Sequence, residues 1–177
     1  MDFSELIRVR QSTRKYSGKP VEEEKIEQCL EAARMAPSAN NSQPWKLVVV
    51  DDPLLKEKMA TSANDLGLNR FAHQAPVIVA VVLEKMNPLS NIGSAIKNKD
   101  YSLMDIGIVT SHFCLQAAEL GLGTCILGWF KEGEVKKILG IGKGKRVPLL
   151  ITLGYPDSVV RKKIRKSREE ISSRNRY

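Results

Sequence analysis

This sequence predicts a layered domain of the α/β or α+β class. Segments with helical apolar spacing alternate with short, unbroken apolar runs, in the order α-α-β-α-β-α-β-α-β. The 177 residues suit one domain, spanning 1–177, because no long linker or internal repeat divides them. Hydrophobic residues make up 42% and charged residues 27%, a globular balance that argues against disorder. Periodicity alone leaves strand order and direction open.

The elements follow in chain order. Phe3 to Val9 reads as a short helix with Phe3, Leu6, Ile7 and Val9 apolar, and the run RQSTRKYSGKP breaks it. A helix lies between Pro20 and Pro37. Glutamates crowd its first turn, where the helix dipole favours negative charge, Ile26, Leu30 and Ala33 recur, and Pro37 ends it. WKLVVV, from Trp45 to Val50, is a strand. Asp52 caps the next helix, DPLLKEKMATSA, with Pro53 at the first position, where a missing N–H is tolerated. APVIVAVVLE is a buried strand, and the polar, glycine-containing NPLSNIGSAIKNK, residues 87–99, is expected to be a loop. DYSLMDIGIVTSHFCLQAAELGLG is a long helix with apolar residues around much of its circumference, which argues for a central position; Gly121 and Gly123 close it. TCILGWF is a strand, KEGEVKKILGI a short helix and KRVPLLITLGYP the last strand.

Several function classes are disfavoured. No apolar run approaches the roughly 20 residues that span a bilayer. The opening MDFSELIRVRQ is amphipathic and lacks a signal-peptide core. Cys29, Cys114 and Cys125 are far apart and form no CxxC pair, so reduced, buried thiols in a cytoplasmic protein are expected, with no metal site. HExxH, GxSxG and GxxxxGK[ST] are absent, and His73 and His112 sit beside no nucleophile motif. GLG in GLGTCILGW ends a helix and opens a strand, the reverse of the dinucleotide-binding order, which disfavours a Rossmann domain. A bound cofactor is therefore expected to carry any difficult chemistry.

Charge gathers at the ends. The net charge is +8, and residues 161–177 hold eight Lys/Arg against two Glu, which is +6 of it. Such a tail suits nucleic acid or a membrane, or it completes a phosphate site. At the other end, Arg10, Ser12 and Arg14 share one face if the chain is extended: two guanidinium forks around a hydroxyl. A solvated basic loop is the plainer reading. APSANNSQPW, Ala36 to Trp45, sets Ser38, Asn40, Asn41, Ser42 and Gln43 between Pro37 and Pro44. A helix stop explains the prolines; the dense short polar side chains suit a specific turn or a planar polar ligand.

In this order the motifs resemble those of the nitroreductase family of flavoproteins. RQSTRKY resembles its Arg-x-Ser-x-Arg motif, and APSANNSQPWKLVVV its Pro-Ser-x-x-Asn-Ser-Gln-Pro-Trp segment. RFAHQAPVIVAVV is similar to a strand preceded by a flavin-contacting basic residue, DIGIVTSHFCLQAAELGLGTCILGWF to the long helix and following strand, and KIRK to a C-terminal Lys-x-Arg element. The resemblance implies an α+β fold with a mostly antiparallel central sheet flanked by helices. It also implies an intertwined homodimer with FMN at the subunit interface. Carried over, Arg10, Gln11, Ser12 and Arg14 would hold the phosphate and ribityl end, and Lys163 and Arg165 would complete it; Lys166 and Arg168 repeat the same spacing. Pro37, Ser38, Ala39 and Asn41 would reach the flavin from the partner subunit. Arg70 would lie near flavin N1 and the C2 carbonyl, and Leu127 and Gly128 would offer backbone to the pyrimidine side. Some members carry Glu where this chain has Leu127.

The expected activity is an FMN-dependent oxidoreductase. NAD(P)H would reduce a nitroaromatic, quinone or similar electron-poor acceptor by ping-pong hydride transfer through flavin N5, with no catalytic side chain. The alternatives are a dedicated flavin-handling or metabolic redox role on the same fold, and, less favoured, nucleic-acid binding through the tail, which has one aromatic, Tyr177.

Overall fold

The computed structural model describes residues 1–177, the side chain of residue 95 excepted. Its sheet has four strands: β1 (Trp45–Val50), β2 (Val77–Leu83), β3 (Gly123–Leu127) and β4 (Arg146–Gly154). Their order is β1-β2-β4-β3, and every neighbouring pair is antiparallel, which makes the fold α+β. The helices are α1 (Phe3–Val9), α2 (Glu23–Arg34), α3 (Pro53–Ala63), α4 (Pro88–Lys97), α5 (Tyr101–Glu119), α6 (Glu132–Ile138) and α7 (Arg168–Ile171).

Helices cover both faces of the sheet, which is why β2 is apolar at every position rather than at alternate ones. Val77, Val79 and Val81 face one core with Ile26, Cys29 and Ala33 of α2 and Ile106, Val109, Phe113 and Ala117 of α5. Ile78, Ala80 and Val82 face the other, with Met59, Ala60 and Ala63 of α3 and Val135 of α6. Side-chain alternation along one strand thus feeds two cores.

Two elements depart from the expectation. Residues 87–99 are not a loop, because α4 occupies most of them. Asn87 Oδ1 accepts from the Ser90 N–H at 2.8 Å, Pro88 takes the first helical position, and Leu89, Ile92 and Ile96 repeat at helical spacing. These signals outweigh Gly93. α5 is capped by Asp100, which accepts from the Leu103 N–H at 3.0 Å, and buries one side against the sheet and α2. Its other side leaves Leu103, Met104 and Ile108 exposed, so it is covered on one side only. Among the described residues, no helix is long and apolar enough to cross a membrane.

Candidate functional site

The N-terminal segment is held by the residues between its polar ones. Arg10 ends α1, its N–H bonded to Leu6 O at 3.0 Å. Ser12 then forms a parallel bridge with Thr124 at the start of β3, and the Thr13 N–H donates to Thr124 O at 2.8 Å. Thr13 and Tyr16 are buried, and the Tyr16 hydroxyl lies 2.7 Å from Thr152 Oγ1. Burial pushes that phenol above its ordinary value. With these two anchored inward, Ser12 and Arg14 are left toward solvent. A Cβ at Gly123 would lie 2.5 Å from Thr13 Oγ1, so this contact requires glycine there.

The tail returns to the same place. Asp157 pairs with Lys15 at 2.7 Å, and Gln11 Nε2 donates to Val159 O at 3.2 Å. Arg161 donates through its N–H to Gln11 Oε1 at 3.1 Å and through Nη2 to Ser12 O at 2.8 Å. Lys163 Nζ donates to Arg10 O. A cleft of about 380 Å³ results, lined by Arg10, Gln11, Ser12, Arg14 and residues 161–165. Six of its lining residues are cationic and none is acidic. Among the described residues, none of those six joins an ion pair. Burial, then Arg10, Arg165 and Arg161, hold the Lys163 ammonium below its ordinary range. Crowded cations without a counter-charge are unfavourable alone and suit a multiply charged oxyanion.

A second limb follows β3, which carries the chain roughly 10 Å from Thr124, beside Ser12, to Leu127 and Gly128. Asn69 Nδ2 donates to Trp129 O at 2.9 Å and to Ala63 O at 3.0 Å, tying the 3₁₀ turn Arg70–Gln74 to that end. Phe71 lies beneath Arg14, with Cζ 6.0 Å from the ring centre. Arg70 is exposed, and its guanidinium folds over Gly67.

The 37–44 loop uses much of its own polarity. Asn40, Asn41 and Gln43 have φ of 49°, 50° and 47°, the left-handed region that asparagine tolerates. Ser38 Oγ accepts from the Gln43 N–H at 2.9 Å, and Gln43 Nε2 donates to Asn41 Oδ1 at 3.0 Å. Ser42 Oγ accepts from the Asn87 N–H at 2.7 Å, and Ser90 Oγ donates to Ala39 O at 3.1 Å. Asp105 accepts from the Ala39 N–H.

The structure therefore brings together Arg10, Gln11, Ser12, Arg14, Lys163 and Arg165, with Arg70, Leu127 and Gly128 on the neighbouring limb. It does not bring Pro37, Ser38, Ala39 and Asn41 to the cleft. Their loop meets α5 at Asp105, whereas Arg10 meets it near Cys114, nine residues or roughly 13 Å along the helix. Lys163 and Arg165 line the cleft, while Lys166 does not and Arg168 opens α7. Sequence reasoning missed Arg161 and Asp105. Arg161 precedes the Lys-x-Arg pattern, and the only sequence sign of Asp105 was a carboxylate set among apolar residues in the first turns of a long helix.

Fold and cleft together define an α+β protein built to hold a phosphate-bearing ligand. The donor set fits the FMN phosphate: several guanidinium and ammonium groups, a serine hydroxyl and no competing carboxylate. Comparison with known proteins agrees. The nitroreductase family model matches residues 7–69 and 56–155, so the chain belongs to the nitroreductase family. An Archaeoglobus fulgidus protein provisionally named NADH dehydrogenase/NAD(P)H nitroreductase is 32% identical over 156 residues, covering 85% of this chain and 83% of its own. An FMN reductase [NAD(P)H] of Bacillus subtilis is 28% identical over 178 residues, covering 94% and 70%. The solved FMN-dependent nitroreductase of Clostridium difficile R20291 superposes with a TM-score of 0.80 at 26% identity, covering 97% of this chain and 98% of that one.

Proposed function

We propose that this chain, acting over residues 1–177 as one FMN-binding domain, is an NAD(P)H-dependent oxidoreductase that reduces electron-poor acceptors such as nitroaromatics or quinones. The observation that carries this reading is the cation cleft, which joins both ends of the chain around one anion-sized space. Family membership and the names of the relatives supply the reaction class.

Bound FMN would supply the two-electron redox chemistry that links a reduced nicotinamide to the acceptor. The chain's own residues bind and orient. Arg10, Arg14, Arg161, Lys163 and Arg165 would offset the desolvation of the phosphate, and Ser12 would add a neutral donor. Arg70 would supply a positive charge near the pyrimidine side of the flavin, which favours the reduced cofactor. Leu127 and Gly128 would offer backbone there. The 37–44 loop does not line the cleft of its own chain, and the family resemblance would bring it to FMN from a second copy. No side chain need act as nucleophile or general acid, and the buried thiols are poorly placed for either.

Reduced nicotinamide should bleach the flavin absorbance of the loaded protein, and a nitroaromatic or quinone should restore it. Two-substrate kinetics should give parallel lines. Flavin absorbance that neither NADH nor NADPH changes would overturn the reading. A dedicated flavin-handling role is the second reading, favoured by the Bacillus subtilis relative's name; uniformly poor turnover across nitroaromatics and quinones selects it. Nucleic-acid binding is less favoured, since Arg161, Lys163 and Arg165 line the cleft together with Arg10 and Arg14.

A further inference from the structure

Asp105 is 3% exposed within α5. Among the described residues its carboxylate meets one donor, the Ala39 N–H, 3.2 Å from each oxygen. A buried carboxylate with a single neutral partner is costly, and an apolar side chain would occupy the position more cheaply. Burial accordingly holds this carboxyl above its ordinary range, and the Ala39 N–H only partly opposes that. Ionising it therefore costs stability as pH rises from the ordinary carboxylate range through the raised value. Stability does not account for the residue; its contact does.

That contact anchors the first residue of a strained turn. Ala39 leads into Asn40 and Asn41, both left-handed. The Ala39 carbonyl is gripped from α4 by Ser90 Oγ, and the Asn40 carbonyl by Asn87 Nδ2 at 3.1 Å. Asp105 holds the opposite side of the same residue. Among the described residues, no cation lies close enough to oppose that burial. α4 contributes neutral Asn87 and Ser90. On α2, Arg34 is bonded to Glu31, and the buried Cys29 thiol lies by Cys114, further along α5. Asp100, at the start of α5, is occupied by Ser102 and Leu103.

We propose that Asp105 is the positioning residue of the 37–43 loop: its ionised carboxylate holds the Ala39 N–H in place, and protonation loosens the loop. The consequence for cofactor affinity rests on the function proposed above; the loop contact does not.

Hydrogen exchange of the cofactor-free full chain tests this, comparing wild type with Asp105→Asn at matched pH and with residues 106–118 as internal reference. A charge-assisted bond is roughly twice as strong as a neutral one, so the 37–43 peptide should exchange about three- to tenfold faster in the variant at pH 7.5. The gap should close as pH falls and the wild-type carboxyl takes up its proton. A purely structural role would give a gap that ignores pH. Equal loop exchange, or a pH-independent gap, overturns the proposal. FMN affinity is read in parallel as the ratio of variant to wild type, which cancels titration of the phosphate itself. A pH-dependent loop gap with no FMN binding in either protein keeps the Asp105 assignment and sinks the proposed function. FMN binding with equal loop exchange does the reverse.

Discussion

At Gly123 one methyl group decides how close the N-terminal segment can come to the sheet. An added Cβ would meet Thr13 Oγ1 at 2.5 Å and Thr13 Cβ at 2.8 Å. Gly123→Ala should destabilise the fold by about 1–3 kcal/mol, as overpacking does, and shift Ser12 out of the cleft. Denaturant unfolding with a flavin titration checks both; a stable variant of unchanged affinity contradicts the packing. The cysteines give a second residue-scale prediction. Burial pushes Cys29 up to about 12 and Cys114 up to about 11, and raises Cys125 from the ordinary 9.0. The folded state thus holds thiol protons that the unfolded chain releases. Their contribution to stability is present below pH 9.0 and is lost as pH rises from there toward 11–12. A melting temperature that falls over this window, with no thiol labelling of the native protein at pH 8, is expected. Rapid native labelling contradicts the burial. At this scale Arg10, Ser12 and Arg14 were legible, but for a partly different reason. Strict alternation begins after Arg10, which ends a helix, and buried Thr13 and Tyr16 determine what faces out. Arg161 was illegible because only the folded tail shows which cation meets Gln11.

Among the elements, α5 does most of the joining. It packs on α2 and the sheet, meets the 37–44 loop at Asp105 and passes Arg10 near Cys114. Phe113, fully buried in its middle, should cost about 3–5 kcal/mol when replaced by alanine, measured by denaturant unfolding. α4 is held more lightly, through Asn87 and Ser90 at its first turn. Ser90→Ala should leave the helix formed and cost about 1 kcal/mol by freeing the Ala39 carbonyl. Lost helicity in that variant would show that the serine supports α4 itself. The strands and the long helices could be read from apolar spacing because each buries a face in a large core. α4 could not: its apolar residues, Leu89, Ile92 and Ile96, stay exposed, and its asparagine and serine signals resemble those of a loop.

In the whole molecule, apolar side chains of α1, α5 and β3 remain uncovered. Phe3 and Ile7 of α1, Leu103, Met104 and Ile108 of α5 and Ile126 of β3 are exposed. Phe3, Ile7 and Ile126 line a hollow of about 330 Å³ with Gly107 and Ser111. Light scattering at micromolar concentration should give twice the chain mass of 19.7 kDa, and Ile108→Lys should reduce it to one. A wild-type monomer contradicts the reading in which a second copy brings its 37–44 loop to the site. Sheet order and the antiparallel pairing were not legible from spacing, since strand partners depend on contacts far apart in sequence. The motif resemblance carried that information.

The central claim is that both chain ends build a phosphate site for FMN. Its most direct test is calorimetric titration of the cofactor-free protein with FMN and, in parallel, riboflavin, which lacks the phosphate. Two or more charge-assisted contacts should make FMN bind at least about a hundredfold more tightly. Equal affinity for the two, or no binding of either, would contradict the account.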